Sequence, residues 1–165
     1  MEQPHPTYFA SLEKWQKGHA EIISGDVKHY VFSNMFDVAS RSRPYEKVVV
    51  GKNLEYVLEA LRAEGASPWF ACGHDEFAVC MDGEIEVEFV KLDAPAAGPD
   101  KNGAVLVKGE PKGRKMGRVR LRRGHQALLP AGSAYRFSAA KKGVLMLQTI
   151  LGDLSVQKWA EICEK

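Results

Sequence analysis

The spacing of apolar and polar positions changes character near residue 69. Before it the periods are mostly helical. Leu12, Trp15, Ile22 and Ile23 can share one face of a helix capped by Ser11 and closed by Gly25-Asp26, with Gly18 as an interruption. The stretch KHYVFSNMFDV, residues 28–38, is rich in β-branched and aromatic residues and is expected to be extended. Leu54, Val57, Leu58 and Leu61 then follow the i, i+3, i+4, i+7 rule. They predict a helix from Asn53 to Glu64, with Asn53 as N-cap and Gly65 as C-cap. Pro68 bars a simple continuation.

From Trp69 onward the period is two. EFAVCMDGEIEVEFVKL reads as two strands of a hairpin around Asp82-Gly83. Ile85, Val87 and Phe89 alternate with Glu84, Glu86 and Glu88, so one face is packed and one is wet. Residues 93–117 carry much Gly and Pro and predict a long surface loop around a short strand, Ala104–Val107. Strands are expected at Arg118–Leu121, Gln126–Leu129 and Ala134–Phe137, with turns at Gly124 and Pro130-Ala131-Gly132. Gly143 precedes VLMLQTI, a run typical of a buried strand. The tail, Ser155 to Lys165, predicts a helix with Val156, Trp159, Ile162 and Cys163 on one face. The expectation is a mainly β single domain, a sandwich or barrel. Residues 1–65 would form a helical and extended arm, 69–151 the barrel and 155–165 a closing helix.

Composition narrows the class. A chain of 165 residues suits one domain, and 45% hydrophobic residues exclude disorder throughout. No apolar run approaches the roughly 18 residues that span a bilayer. The start, MEQPHPTYFASLEKW, lacks a basic stretch followed by an apolar block, so a cytoplasmic protein is expected. Cys72, Cys80 and Cys163 are odd in number and irregular in spacing, which fits reduced thiols better than disulfides.

The net charge is +2, but Lys112, Arg114, Lys115, Arg118, Arg120, Arg122 and Arg123 cluster. A nucleic-acid patch is one reading. The alternation of Arg118, Arg120 and Arg122 with Val119 and Leu121 favours a strand with one wet face instead. No aromatic residue is interleaved to stack on bases, and no DNA-reading helix pair is evident. Neither nucleic acid nor membrane is expected as a partner; an acidic protein surface stays open.

Two spacings carry a resemblance. Glu76 is followed by six residues and Gly83. Gly124 is followed by five residues, Pro130, one residue and Gly132, then two residues and Tyr135. This pattern resembles the two motifs of the cupin superfamily, which implies a double-stranded β-helix, or jelly-roll, barrel with one pocket. Members that bind a metal supply two His two residues apart, a Glu on the first motif and a His on the second. These positions fall here at Phe70, Cys72, Glu76 and Tyr135, so one ligand of four is kept and no metal is expected in this chain. Cys72, His74 and Glu76 alternate, and a metal held by S, N and O is conceivable there, with a plainer set of roles as the alternative. In the plainer set Cys72 is a small core residue, His74 is hydrogen-bonded, and Glu76 and Tyr135 form a polar pair. His125 would sit at the rim.

The segments SNMFDVASRSRPYEKVVVGKNLEYVLEALRAEG, SPWFACGHDEFAVCMDGEIEVEFVKLD, GRKMGRVRLRRGHQALLPAGSAYRF and LQTILGDLSVQKWAEIC resemble the small (alpha) subunit of the two-component hydroquinone 1,2-dioxygenases. The resemblance implies a larger, cupin-type catalytic partner in an α2β2 assembly. It also implies Fe(II) in that partner and ring cleavage of hydroquinones in aromatic catabolism. This chain would carry no catalytic residue and would stabilise the partner. The Trp69–Phe70 segment and the basic strand would be contact surfaces, with core packing as the alternative for Trp69. Two other readings remain. One is a metal-free isomerase or epimerase using His74 or His125 with Tyr135; the other is a small-ligand-binding cupin module.

Overall fold

The computed structural model describes residues 11–13, 23–25 and 33–162. The helix expected from Ser11 lies mostly outside them. Ser11 itself donates its hydroxyl to Asp82 and accepts from the Glu13 N–H.

The segment expected to be extended instead starts a helix, α1 (Met35–Arg41). Asn34 explains the difference. Its side-chain oxygen accepts from the N–H groups of Phe36, at 2.9 Å, and Asp37, at 3.4 Å, and so caps two free donors. Val38 and Ala39 are buried on the inner side of α1.

The helix expected over Asn53–Glu64 is a strand. β1 (Lys47–Asn53) and β2 (Tyr56–Ala66) form a hairpin through Leu54-Glu55, with Leu54 at φ 57°. Val57, Glu59, Leu61 and Ala63 are buried, while Leu58 is exposed and Leu54 more so. Two-residue alternation, not the helical period, matches this burial. Beyond the hairpin lie β3 (Phe70–Cys72), β4 (Glu76–Asp82), β5 (Glu84–Leu92), β6 (Ala104–Leu106), β7 (Gly113–Arg122) and β8 (Gln126–Leu129).

The strands expected at 134–137 and 144–150 are one bent strand, β9 (Ser133–Ile150). It organises the sheet. One edge pairs with β2 and β3, the other with β4 and β5. β4 pairs with β8 and β5 with β7 on their far sides.

Asp82-Gly83 is therefore a bend rather than a hairpin turn. β4 and β5 do not pair with each other; each pairs with a different half of β9. Gly83 takes φ 85°, and Gly143 sits against it across the bend. A side chain at Gly143 would meet the Asp82 carbonyl oxygen at 2.8 Å, so both glycines are needed for the close approach.

The tail also departs from one continuous helix. β10 (Ser155–Val156) runs parallel to β1, and α2 spans only Trp159–Ile162. Cys163 lies outside the described residues.

The inner face of the curled sheet holds the main core. Leu61, Phe70, Cys80, Ile85, Val87, Leu129, Tyr135, Phe137, Leu145 and Leu147 pack there. The opposite face of β1 and β2 is covered by the helices, through Val38, Val48, Ala60, Trp159 and Ile162. The acidic and basic strands meet as neighbours. Glu84, Glu86 and Glu88 stand opposite Arg122, Arg120 and Arg118, and Arg136 donates to Glu88 from β9. The charges of Arg118, Arg120 and Arg122 are thus matched within the sheet. Among the described residues no helix is long and apolar enough to cross a membrane.

Candidate functional site

Glu76 opens β4 and points into the curl of the sheet, where it is fully buried. A buried carboxylate needs donors. It finds two, from opposite halves of β9. The Tyr135 hydroxyl donates to Oε2 at 2.5 Å and the Thr149 hydroxyl to Oε1 at 2.8 Å. The two ends of the bent strand thus meet on one side chain. Burial, followed by the nearby Glu76 carboxylate, holds the Tyr135 hydroxyl well above its usual pKa. Tyr135 is therefore a fixed donor at any ordinary pH.

Phe70 closes the space beside this pair, its ring 5.8 Å from that of Tyr135. Cys72, two residues on, is also buried. Burial and then the Glu76 carboxylate push its thiol up to about 11. Beyond Phe70 stands a second polar group. Lys47 places Nζ 4.7 Å from the Phe70 ring centroid and 3.7 Å from Glu59 Oε2. Ser155 donates to the other Glu59 oxygen at 2.6 Å. Burial raises the Glu59 carboxyl pKa, with Lys47 and Ser155 opposing.

His74 is not part of this group. β3 ends at Cys72 and β4 begins at Glu76, so alternation breaks between them. His74 instead turns toward the 101–103 loop. Its Nε2 accepts from the Gly103 N–H at 3.1 Å, and Nδ1 lies 3.0 Å from the Asp75 carbonyl, so Nδ1 carries the proton. Trp69 faces away from Phe70. It is buried with Val90 and Ala134, and the Arg136 guanidinium stacks 4.5 Å from its ring. His125 lies at the β7–β8 turn, where Nδ1 accepts from the Arg122 N–H.

The structure thus gathers Phe70, Cys72, Glu76 and Tyr135 and sets Trp69 and His74 apart. The set does not fit a divalent metal. Glu76 has both oxygens engaged, Phe70 offers no ligand atom, and Tyr135 is held as a protonated donor. Among the described residues no three of His, Cys, Asp and Glu come together as ligands. Nor are His74 and Tyr135 arranged as an acid and base. One is tied to backbone at the rim, the other to Glu76 inside.

Lys47, Glu59, Thr149 and Ser155 belong to the polar interior but were not singled out from the sequence. Read with a period of two, β2 would have placed Glu59 on the apolar face with Val57 and Leu61. The same alternation along β9 puts Thr149 in line with Leu145 and Leu147.

No protein-family model and no curated protein matches the chain. Solved structures do. A chain of hydroquinone 1,2-dioxygenase PnpCD, in complex with Cd2+ and 4-hydroxybenzonitrile, is 60% identical over the whole of both chains, with a TM-score of 0.88. A chain of the hydroquinone 1,2-dioxygenase from Sphingomonas sp. TTNP3, with 4-hydroxybenzoate bound, is 53% identical over 98% of each chain, with a TM-score of 0.89. A cupin-2 domain protein from Shewanella frigidimarina is similar at 16% identity over 76% of this chain and all of its own, with a TM-score of 0.52.

In further structures of those two dioxygenases, 81% of this chain matches 37% and 36% of a longer chain, at 16% identity and TM-scores of 0.59. The fold is that of a cupin jelly roll. The chain belongs to the family of hydroquinone 1,2-dioxygenase chains represented by the PnpCD and Sphingomonas structures.

Proposed function

We propose that this chain is the small, metal-free subunit of a hetero-oligomeric hydroquinone 1,2-dioxygenase, and that it stabilises a larger cupin-type chain carrying Fe(II). The observation that carries this reading is the end-to-end likeness at 60% identity to a PnpCD chain. Two further points support it. Structures of the same enzymes hold a longer chain with a similar fold. Within this chain, Tyr135 and Thr149 occupy the one carboxylate left at the ligand positions. Iron chemistry on a hydroquinone needs open coordination positions beside His and carboxylate ligands. The larger chain would supply them, and ring cleavage would take place there.

The test is to purify this chain alone, a larger cupin chain encoded beside it, and the co-expressed complex. Iron content and hydroquinone-dependent O₂ uptake are measured for each. The complex should bind iron and consume O₂, and this chain alone should do neither. If this chain alone bound one equivalent of Fe(II) and cleaved hydroquinone, the proposal would fail. The absence of any stable complex would equally count against it.

A further inference from the structure

Every residue of β7 except Leu121 is exposed, and β7 pairs with β5 alone. Its other edge is therefore open among the described residues. The ladder shows which backbone groups lie on it. Phe137 donates its N–H to Ser67 Oγ, away from its register partner Val87. Val87 thus directs its own N–H and C=O to Val119 on the other side. Alternation then turns the N–H and C=O of Arg118 and Arg120 outward. Arg122 fits the same phase. Its outward N–H donates to His125 Nδ1, and its C=O accepts from the His125 N–H. Arg118 and Arg120 have no such backbone partner among the described residues.

An open edge with two outward rungs can take another strand. The side chains select which. Glu84 and Glu86 are shared among Arg118, Arg120 and Arg122, whose side chains all stay more than half exposed. Each guanidinium therefore keeps spare N–H donors. Further along, Arg114 stands directly opposite Lys91, and neither has a carboxylate partner among the described residues. A second copy of this edge, paired antiparallel about a two-fold axis, would set arginine against arginine. A strand with acidic residues at alternate positions would instead repeat on the open side what β5 does on the paired side, where Glu84 and Glu86 alternate with buried Ile85 and Val87. Exposed Met116 and Val119 offer such a strand apolar contacts. We propose that the open edge of β7 accepts an extended acidic segment of the larger cupin chain, bonded through the backbone of Arg118 and Arg120. The inference rests on the subunit reading and adds where the partner docks.

Amide hydrogen exchange is measured on the full chain alone and in complex with the co-expressed larger cupin chain. Alone, Val119 should exchange slowly, and Arg118 and Arg120 fast. In the complex both arginine amides should slow by about tenfold or more. Arg118→Pro removes one outward N–H and leaves the pairing with β5 in place. It should weaken the complex by about tenfold, and Arg118→Ala, which keeps the backbone rung, by less. If Arg118→Pro does not fold, exchange in the unmodified complex decides. A complex in which the two amides exchange as fast as in the free chain, or one that Arg118→Pro forms equally well, overturns this inference and leaves the subunit reading standing. Failure of the two chains to associate overturns both.

Discussion

Glu76 joins two distant parts of the chain, and its variants should differ in a definite order. Tyr135→Phe keeps the ring and removes one donor, leaving Thr149, among the described residues, as the sole partner of a buried carboxylate. The expected loss is about 1–3 kcal/mol in chemical denaturation. Glu76→Gln should cost less than Glu76→Ala, since the amide oxygen can still accept from one of the two hydroxyls while its NH2 donates to the other. If Tyr135→Phe were neutral, Glu76 would have to be drawing its stability from elsewhere. The polar pair was legible in the sequence because a carboxylate on an apolar face demands a partner. Thr149 was not, because it closes an apolar run in which one hydroxyl carries little signal. Glu59 was hidden by the helical reading of residues 53–64, which leaves it no inner face, and Lys47 opens β1, a strand the sequence pattern did not predict.

Local preference and final structure part company most clearly at β2. Leu, Glu, Ala and Arg are good helix formers, and four apolar positions fit a helix face. Pairing with β1 on one side and β9 on the other outweighs that preference, since together they give every residue of β2 except Glu64 a ladder partner. The Asp82-Gly83 bend shows the same priority. Its residues suit a hairpin turn, but β9 is a better partner for both flanking strands than either is for the other. What the local pattern did reveal were strands whose alternation is complete. β8 falls where expected, and the charged alternation of β5 and β7 marks wet faces that turn out to be adjacent. For the bend itself, Gly143→Ala should destabilise the chain by about 1–3 kcal/mol, because the new methyl meets backbone that cannot move aside. Gly65→Ala, with nothing within 4 Å of the new atom, should cost only the strain of its positive φ. Melting temperatures of the two variants would compare them directly, and equal values would refute the close-packing account of the bend.

The interior as a whole sets a pH response. Burial raises Cys72 and Cys80 to about 11 and Tyr45 to about 12, with Tyr135 also well above its usual value. In every case the folded state holds the proton more tightly than the unfolded chain. Stability from these groups is therefore complete below the ordinary values of 9.0 and 10.0 and is lost as pH rises through 11 to 12. Urea midpoints should fall steadily across that alkaline range, and Cys72→Ala with Cys80→Ala should remove part of the slope. A midpoint independent of pH between 9 and 12 would contradict this. The same burial should keep both thiols unreactive toward iodoacetamide at pH 7.5 until the chain unfolds.

β9 has a consequence for how the chain is made. Four other strands take their ladder partners from it, yet it lies near the end of the sequence. A chain emerging from the ribosome has already released β2, β3, β4 and β5 before Ser133 appears. Until then those strands can find only their hairpin or local neighbours, and their edges on the β9 side stay open. Closure of the sheet must wait for synthesis to pass residue 150, which makes assembly late and dominated by long-range pairing. Translation that stalls upstream of Ser133 would leave an aggregation-prone fragment instead of a smaller folded unit.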